Sequence, residues 1–562
     1  MPHVVTQSCC SDASCVVACP VNCIHPAPGE PGFAEAEMVY VDPESCVDCG
    51  ACVTACPVGA IVPHTKLTER QLPFIALNSS YFMDEPHADR TPLALVPTRR
   101  VVQADDVRIA VVGAGPAAMY AADELLKNPG VKVDVFDRLP TPYGLVRAGV
   151  APDHQDTKLV TKLFRAIEEQ PGFRYVLNVE IGRDLSHDDL ARSYHGVVYA
   201  VGASADRALG VPGEDLAGSV SATDVVGWYN GHPDHGETYV DLGERRIVVV
   251  GNGNVALDVA RILTADPETL AGTDIADLPL ATLRGSAVQE VLVLGRRGPA
   301  EAAFTMPELI GLAGRDDVDV LVDNGGEEIV VDSPKTALIA ELSRRRPTPG
   351  RRRIVLRFRT APVAVVGDGS VQAIEVVRTD LRPDADGVPR AVPMGETEVI
   401  PCAMVLRSVG YRGRPVDGLP FDDATGTVPN DGGRVRPGVY VAGWIKRGPT
   451  GYIGTNKACA EETVTGLLDD LEHGHLTEPT VPVERLLMSL EGKVVDRSGW
   501  RRIDDTERGR GAERARPRVK IVDLPDLVAV ARPPMTQTGR EHRGLPIRQS
   551  TKRQTSRSRT PT

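Results

Sequence analysis

The sequence predicts a small α+β cysteine-rich module followed by a larger α/β unit with two nucleotide-binding domains, and three observations predict it. Nine of the eleven cysteines fall within the first 56 residues. Residues 108–118, RIAVVGAGPAA, read as an apolar strand, a glycine turn and the start of a helix. Residues 247–263, IVVVGNGNVALDVARIL, repeat that arrangement.

A chain of 562 residues has room for about three or four domains. With 42% hydrophobic and 25% charged residues it reads as ordinary globular protein. No apolar run approaches the roughly 18 residues of a membrane span, and MPHVVTQSCC lacks the basic-then-apolar pattern of a secretory signal. The expectation is a cytoplasmic protein with no membrane partner. A net charge of -13 argues against nucleic acid as a partner. The charge is uneven: residues 1–66 carry seven acids against Lys66, whereas the last thirty residues carry seven Arg or Lys against Glu541.

Residues 1–66 form the first predicted domain. Cys46, Cys49, Cys52 and Cys56 give C-x2-C-x2-C-x3-C followed by Pro57. Three thiolates on one turning loop can hold three irons of a cubane, and the fourth, before proline, ligates the neighbouring cluster. Cys9, Cys10, Cys15, Cys19-Pro20 and Cys23 form a degenerate copy. This pseudo-symmetry predicts reciprocity: Cys19 completes the site of Cys46, Cys49 and Cys52, and Cys56 joins Cys15 and either Cys9 or Cys10. A zinc ribbon would need two paired knuckles across a longer loop, which the sequence lacks. Residues 67–106, with four prolines and no clear periodicity, read as a partly packed linker.

In the first turn, Gly113, Gly115 and Ala118 follow the order G-x-G-x-x-A. The first glycine makes the turn, the second lets a pyrophosphate reach the backbone beside Ala114, and the small third residue lets helix pack on strand. Strand 131–136 then ends on Asp137, placed for an adenosine ribose. In the second turn, Gly251, Asn252, Gly253, Asn254, Val255 and Ala256 repeat the pattern, but strand 290–294 ends in Gly295-Arg296-Arg297. A carboxylate there would repel a ribose 2'-phosphate, and two guanidiniums bind it bidentately. The pair of turns therefore predicts FAD at the first and NADP(H) at the second. The chain divides into an FAD-binding domain over 107–215, an NADP-binding domain over 216–385, a second FAD-binding part over 386–532 and a disordered basic tail over 533–562.

The cysteine segment resembles the seven-iron bacterial ferredoxins, which implies an α+β ferredoxin-like fold, one [4Fe-4S] cluster, one further [3Fe-4S] or [4Fe-4S] cluster, and an unligated Cys23. Residues 107–532 resemble the adrenodoxin-reductase type of ferredoxin-NADP reductase through GLVRAGVAPDH (144–154), VGWYNGHPD (226–234), GNGNVALDVARIL, GRRGPAEAAFTMPEL (295–309) and GWIKRGPTGYIGTNK (443–457). Together the segments resemble the actinobacterial ferredoxin/ferredoxin-NADP reductase fusions of the FprB type. The resemblance implies an adrenodoxin/glutathione-reductase-like α/β flavoprotein that moves electrons between NADPH and a ferredoxin or other one-electron acceptor. It puts Leu145, Ile181, Trp444, Gly451, Tyr452 and Ile453 at the flavin and makes His154 and Glu308 candidate catalytic residues at the nicotinamide. Thr455 is expected to cap the helix running through Val464, and Lys446 is either a surface lysine or part of the flavin's field. Cys402 and Cys459 lack a C-x2-C or C-x4-C partner, so they read as buried small hydrophobes. Two other functions share these features: the electron-input subunit of a glutamate-synthase-type enzyme, and a redox sensor without turnover.

Overall fold

The computed structural model describes residues 3–85 and 101–533. The expected basic tail, apart from Pro533, and residues 86–100 of the expected linker lie outside the described residues. No helix among those described is long and apolar enough to cross a membrane.

The cysteine module contains β1 (His3–Val5), α1 (Ser14–Ala18), β2 (Ile24–His25), β3 (Tyr40–Val41), α2 (Ala51–Ala55), β4 (Ile61–Pro63) and α3 (Pro73–Asp84). β1 pairs antiparallel with β4, and β2 with β3. The sequence repeat has a backbone counterpart. Each short helix is preceded by a left-handed residue, Ala13 (φ 56°) or Gly50 (φ 73°). Each then ends in an extended cysteine, Cys19 or Cys56, because a following proline excludes the helical region. α3 corrects the expected boundary at residue 66. Its Asn78 is fully buried; the side-chain oxygen accepts from the Val5 and Val41 amides at 3.1 Å, and the amide group donates to the Val5 carbonyl at 2.9 Å. Tyr81 stacks on Tyr40 with centroids 4.4 Å apart. Residues 73–84 are thus part of the module. Phe74, Ile75, Leu77, Phe82 and Met83 spread around the helix and leave no one-sided stripe to read.

The larger unit continues with β5 (Val107–Val112), α4 (Pro116–Leu126), β6 (Val131–Asp137), β7 (Phe173–Leu177), β8 (Gly196–Tyr199), β9 (Ala205–Asp206), β10 (Ser219–Ser221) and β11 (Arg246–Val250). Then come α5 (Asn254–Thr264), β12 (Glu290–Leu294), α6 (Met306–Ala313), β13 (Asp319–Asp323), β14 (Arg353–Arg357), β15 (Thr360–Asp368), β16 (Ser370–Pro383), β17 (Pro389–Pro401) and β18 (Met404–Arg407). The last elements used below are β19 (Tyr411–Arg412), β20 (Arg434–Arg436), β21 (Val439–Val441), α7 (Thr455–Glu472) and α8 (Arg497–Ala512).

Two six-stranded sheets carry the unit, in the orders β20-β21-β8-β5-β6-β7 and β10-β18-β11-β12-β14-β13. Their central strands are parallel and mostly apolar and buried, with charged residues such as Arg108, Arg246 and Glu290 at or near their ends, because helices cover both faces. β15, β16 and β17 form a separate antiparallel sheet. The expected return to the FAD-binding part at residue 386 is corrected: it falls in the turn between β16 and β17, and β18 is still paired with β10 and β11 of the second sheet. The two chain crossings between the domains lie side by side as the antiparallel pair β9–β19.

Candidate functional site

The two glycine turns have the same construction. Gly113 (φ +105°) follows β5, and a Cβ there would lie 2.4 Å from the Ala200 carbonyl oxygen beyond β8. Gly251 (φ +112°) follows β11, and a Cβ would lie 2.1 Å from the Ser408 oxygen beyond β18. In each sheet this is where the strand order reverses, so the turn opens into the crevice outside the strand ends. Gly115 and Gly253 have nothing within 4 Å of an added Cβ, which leaves both turns open to a phosphate at the N-terminus of α4 or α5. Ala118 and Ala256 are fully buried under those helices.

The strand ends differ. Asp137 accepts from the Ala114 amide at 2.8 Å through one carboxylate oxygen and from the Leu139 amide at 2.9 Å through the other. Burial raises its pKa against the pull of those amides. The acid therefore braces the turn. Ile181 sits two residues beyond Val179, whose amide donates to the Asp137 carbonyl at 2.8 Å. Arg296 and Arg297 are exposed, and neither side chain forms an ion pair among the described residues. The Asn252 side chain lies over Gly295, where a Cβ would meet it at 2.6 Å. Asn254 accepts from the Thr305 amide at 2.8 Å and so fixes the start of α6 against the second turn; Val255 packs into the second core.

α6 carries Glu308. Its carboxylate lies 4.0 Å from His154 Nε2 and 3.6 Å from Arg261 Nη1, and accepts at 3.0 Å from the Gln7 amide of the cysteine module. Arg261 is buried and is held bidentately by Asp153 at 2.7 and 3.0 Å and by Asp258 at 2.7 Å. Burial pushes the Glu308 carboxyl up, outweighing the His154 and Arg261 charges. Burial acts on Asp153 in the same sense, but Arg261 overcomes it and holds that carboxyl well below the usual range. Asp153, Arg261 and Gln7 were not singled out by sequence. The first two lie inside the motif stretches without a pattern of their own, and Gln7 is 301 residues from its partner.

The loop 443–457 closes the other side. Trp444 Nε1 and Arg447 each donate to the Thr450 carbonyl at 3.1 Å. Arg447 also reaches Asn456 at 3.2 Å, yet its Nε and Nη1 are buried without a partner among the described residues. A buried guanidinium with spare donors fits a bound group rich in acceptors, as FAD is. Two expectations for this loop are corrected. Thr455 caps nothing: its hydroxyl accepts from the Tyr452 amide at 2.9 Å and ties the Gly451–Ile453 turn to α7. Lys446 is not a solvated surface lysine: its side chain is buried, and its amine is held by Glu462 at 2.6 Å and Thr463 at 3.1 Å. Leu145 is 42% exposed on the turn that follows Gly144. Cys402 and Cys459 are buried.

In the module the thiols fall into two groups. Cys9, Cys10, Cys15 and Cys56 line one small cavity together with Ser11, whose hydroxyl is buried without a partner among the described residues. Burial pushes the Cys9 thiol up to about 11, with Cys56 among the charges acting on it. Burial also pushes Cys52 up to about 11, here with Cys46, Cys19 and Cys49 as its neighbours. Cys23 joins that second group: its sulfur lies 3.4 Å from Cys19, and its thiol hydrogen bond draws Cys19 down to about 6 and Cys46 to about 5. Grouped sulfurs, most of them buried or half-buried, with no disulfide among them fit metal clusters. The first group adjoins the loop 443–457. The Gly454 amide donates to the Cys10 carbonyl at 2.7 Å, and a Cβ on Gly454 would strike the Asp12 amide at 2.1 Å.

The chain is similar to known proteins over most of its length. Residues 107–266 match the family described as pyridine nucleotide-disulphide oxidoreductase, and residues 39–62 match the 4Fe-4S binding domain. It is 49% identical to a Mycobacterium leprae protein named probable ferredoxin/ferredoxin-NADP reductase, over 94% of this chain and 98% of that one. It is 50% identical to a Mycobacterium tuberculosis protein of the same name, over 94% and 95%. Among solved structures, FprA from Mycobacterium tuberculosis in complex with NADPH matches with a TM-score of 0.72 and 44% identity, over 76% of this chain and 99% of that chain.

Proposed function

The chain belongs to the ferredoxin/ferredoxin-NADP reductase family of FAD-dependent oxidoreductases, and from that premise we infer the route its electrons take and the residues that hold each station. Gly251, Gly253 and the α5 N-terminus hold the NADP(H) pyrophosphate, and Arg296 and Arg297 hold the 2'-phosphate. Gly113, Gly115, Asp137 and the α4 N-terminus hold the adenosine half of FAD. His154 and Glu308 orient the nicotinamide, with Arg261 fixing the acid's position. Trp444, Arg447 and the Gly451–Ile453 turn close over the flavin ring. FAD supplies the exchange between a two-electron hydride and single electrons.

The single electrons pass to a first cluster on Cys15, Cys56 and one of Cys9 and Cys10, then to a [4Fe-4S] cluster on Cys19, Cys46, Cys49 and Cys52. Exposed Cys49 marks the exit to a separate ferredoxin or other one-electron acceptor. The first cluster is [3Fe-4S] or [4Fe-4S], and Cys23 remains an unligated thiol beside the second. The observation that carries this order is the backbone contact between Gly454 and Cys10, which puts the flavin-side loop against the first group of thiols.

Anaerobic stopped-flow mixing with NADPH tests it: flavin bleaching followed by loss of the iron-sulfur absorbance is expected. Bleached flavin beside oxidised clusters would refute the relay. In Cys56→Ala, electron paramagnetic resonance should lose the first-cluster signal; loss of the signal assigned to Cys19, Cys46, Cys49 and Cys52 would refute the reciprocal ligation.

A further inference from the structure

We propose that the cysteine module completes the nicotinamide pocket of the other unit, with Gln7 as a positioning residue for Glu308. The proposal rests on the reading above that Glu308 meets the nicotinamide. Three contacts on one helix carry it. The Gln7 side-chain amide donates to Glu308 Oε2 at 3.0 Å. Gly311, one turn along α6, leaves the space that the amide fills, since a Cβ there would lie 2.4 Å from the Gln7 side-chain nitrogen and oxygen. Glu37 of the module accepts from the Met306 amide at 2.6 Å, where α6 begins and its unpaired amides favour an acid. Lys335 approaches the same carboxylate at 3.4 Å.

These contacts act on an acid that needs placing. Glu308 is drawn on one side by Arg261 at 3.6 Å and His154 at 4.0 Å, both longer than a direct hydrogen bond. The 3.0 Å bond from Gln7 is the shorter contact, and a neutral donor orients the carboxylate without neutralising it. Arg261 and His154 approach the same oxygen, Oε2, that accepts from Gln7, so losing the Gln7 bond would leave that oxygen to the two longer contacts. The iron-sulfur module thus does more than receive electrons; it supplies part of the binding site of the nucleotide that sends them.

The test uses the full-length protein loaded with flavin and iron, and the variants Gln7→Ala, Gly311→Ala and Glu308→Gln. Calorimetric titration of the oxidised protein with NADP+ is the first readout, and the stopped-flow rate of flavin bleaching at saturating NADPH is the second. Gln7→Ala is expected to weaken NADP+ binding three- to tenfold and slow bleaching by a similar factor. Gly311→Ala should reproduce both effects by expelling the Gln7 amide, although it touches no cysteine and suits a helix. Iron and sulfide counts show whether Gln7→Ala has disturbed the nearby cysteine loop; if it has, Gly311→Ala alone decides. Unchanged binding and bleaching in Gly311→Ala, beside a Glu308→Gln variant that loses both, would overturn the role of Gln7 and leave the nicotinamide site standing. Unchanged behaviour in Glu308→Gln would overturn the nicotinamide reading itself.

Discussion

The two glycine turns are one piece of backbone used twice, and the difference between them lies in what waits at the end of the next strand. Gly113 and Gly251 share a left-handed φ and a close approach to the carbonyl beyond the neighbouring strand. In the first turn the strand ends in a carboxylate already engaged with two amides; in the second it ends in two exposed arginines. The backbone geometry is common to both turns, and the side chains at the strand ends are what distinguish them.

Breaking the shared part has the largest effect. In Gly113→Ala the new methyl meets backbone at a distance no side-chain motion relieves, and the left-handed φ adds strain of about 1–3 kcal/mol. The protein should be purified without FAD, as read by the flavin-to-protein absorbance ratio. Gly251→Ala should keep its flavin and lose measurable NADP+ binding. Should both variants lose flavin, the two turns are not independent.

Next in size is the local part of the second turn. Changing Arg296 and Arg297 together to Ala should lower NADPH affinity by about ten- to a hundredfold, the equivalent of about 1.5–3 kcal/mol for hydrogen bonds to a charged phosphate. NADH binding should scarcely change, and flavin content should not. Stopped-flow bleaching at varied NADPH and NADH separates the cases, and equal weakening of both nucleotides would make the arginines structural.

A smaller effect is expected at the first turn. Asp137→Asn removes the charge while its side-chain oxygen still accepts from one turn amide, so FAD affinity should fall by less than about tenfold, close to one hydrogen bond. Flavin release during dialysis measures it.

The seam between the two domains is expected to respond to acid. Asp274 is buried and accepts from Lys158 at 2.7 and 2.8 Å, with Lys520 at 3.1 Å. Burial would raise its pKa, but the two lysines overcome that and hold it well below the ordinary value. A carboxyl depressed by folding stabilises the fold fully above its unfolded pKa of about 3.9, and the contribution fades as pH falls below that. Thermal unfolding of the full chain should show Asp274→Asn converging on the parent protein as pH drops from about 5 toward 3. A constant difference in melting temperature over that range would contradict it.

Much of this was legible in the chain because short-range rules govern the turns. The spacing of Gly113, Gly115 and Ala118 fixes a strand, a turn and a helix, and β12 begins and ends where the expected strand 290–294 does. The cysteine repeat announced its own pseudo-symmetry, which reappears in the matching conformations of Ala13 and Gly50. What stayed hidden depends on distant partners. α3 carries apolar residues all round, so only its packing on Tyr40 and Val41 reveals it. β18 is four residues long, and only its pairing with β11 assigns it to the second sheet. Lys446 looked free until α7 brought Glu462 beside it.

The paired crossings β9 and β19 join the two nucleotide domains on one side. On the other, the cysteine module touches the first domain through Gly454 and the second through Met306 and Glu308. The three bodies therefore form a closed ring with a junction at each corner. In such a ring no body turns alone: swinging the second domain away from the first opens a junction or carries the module with it. Any opening between the two domains therefore strains either the β9–β19 pair or the contacts that Gly454, Met306 and Glu308 make with the module.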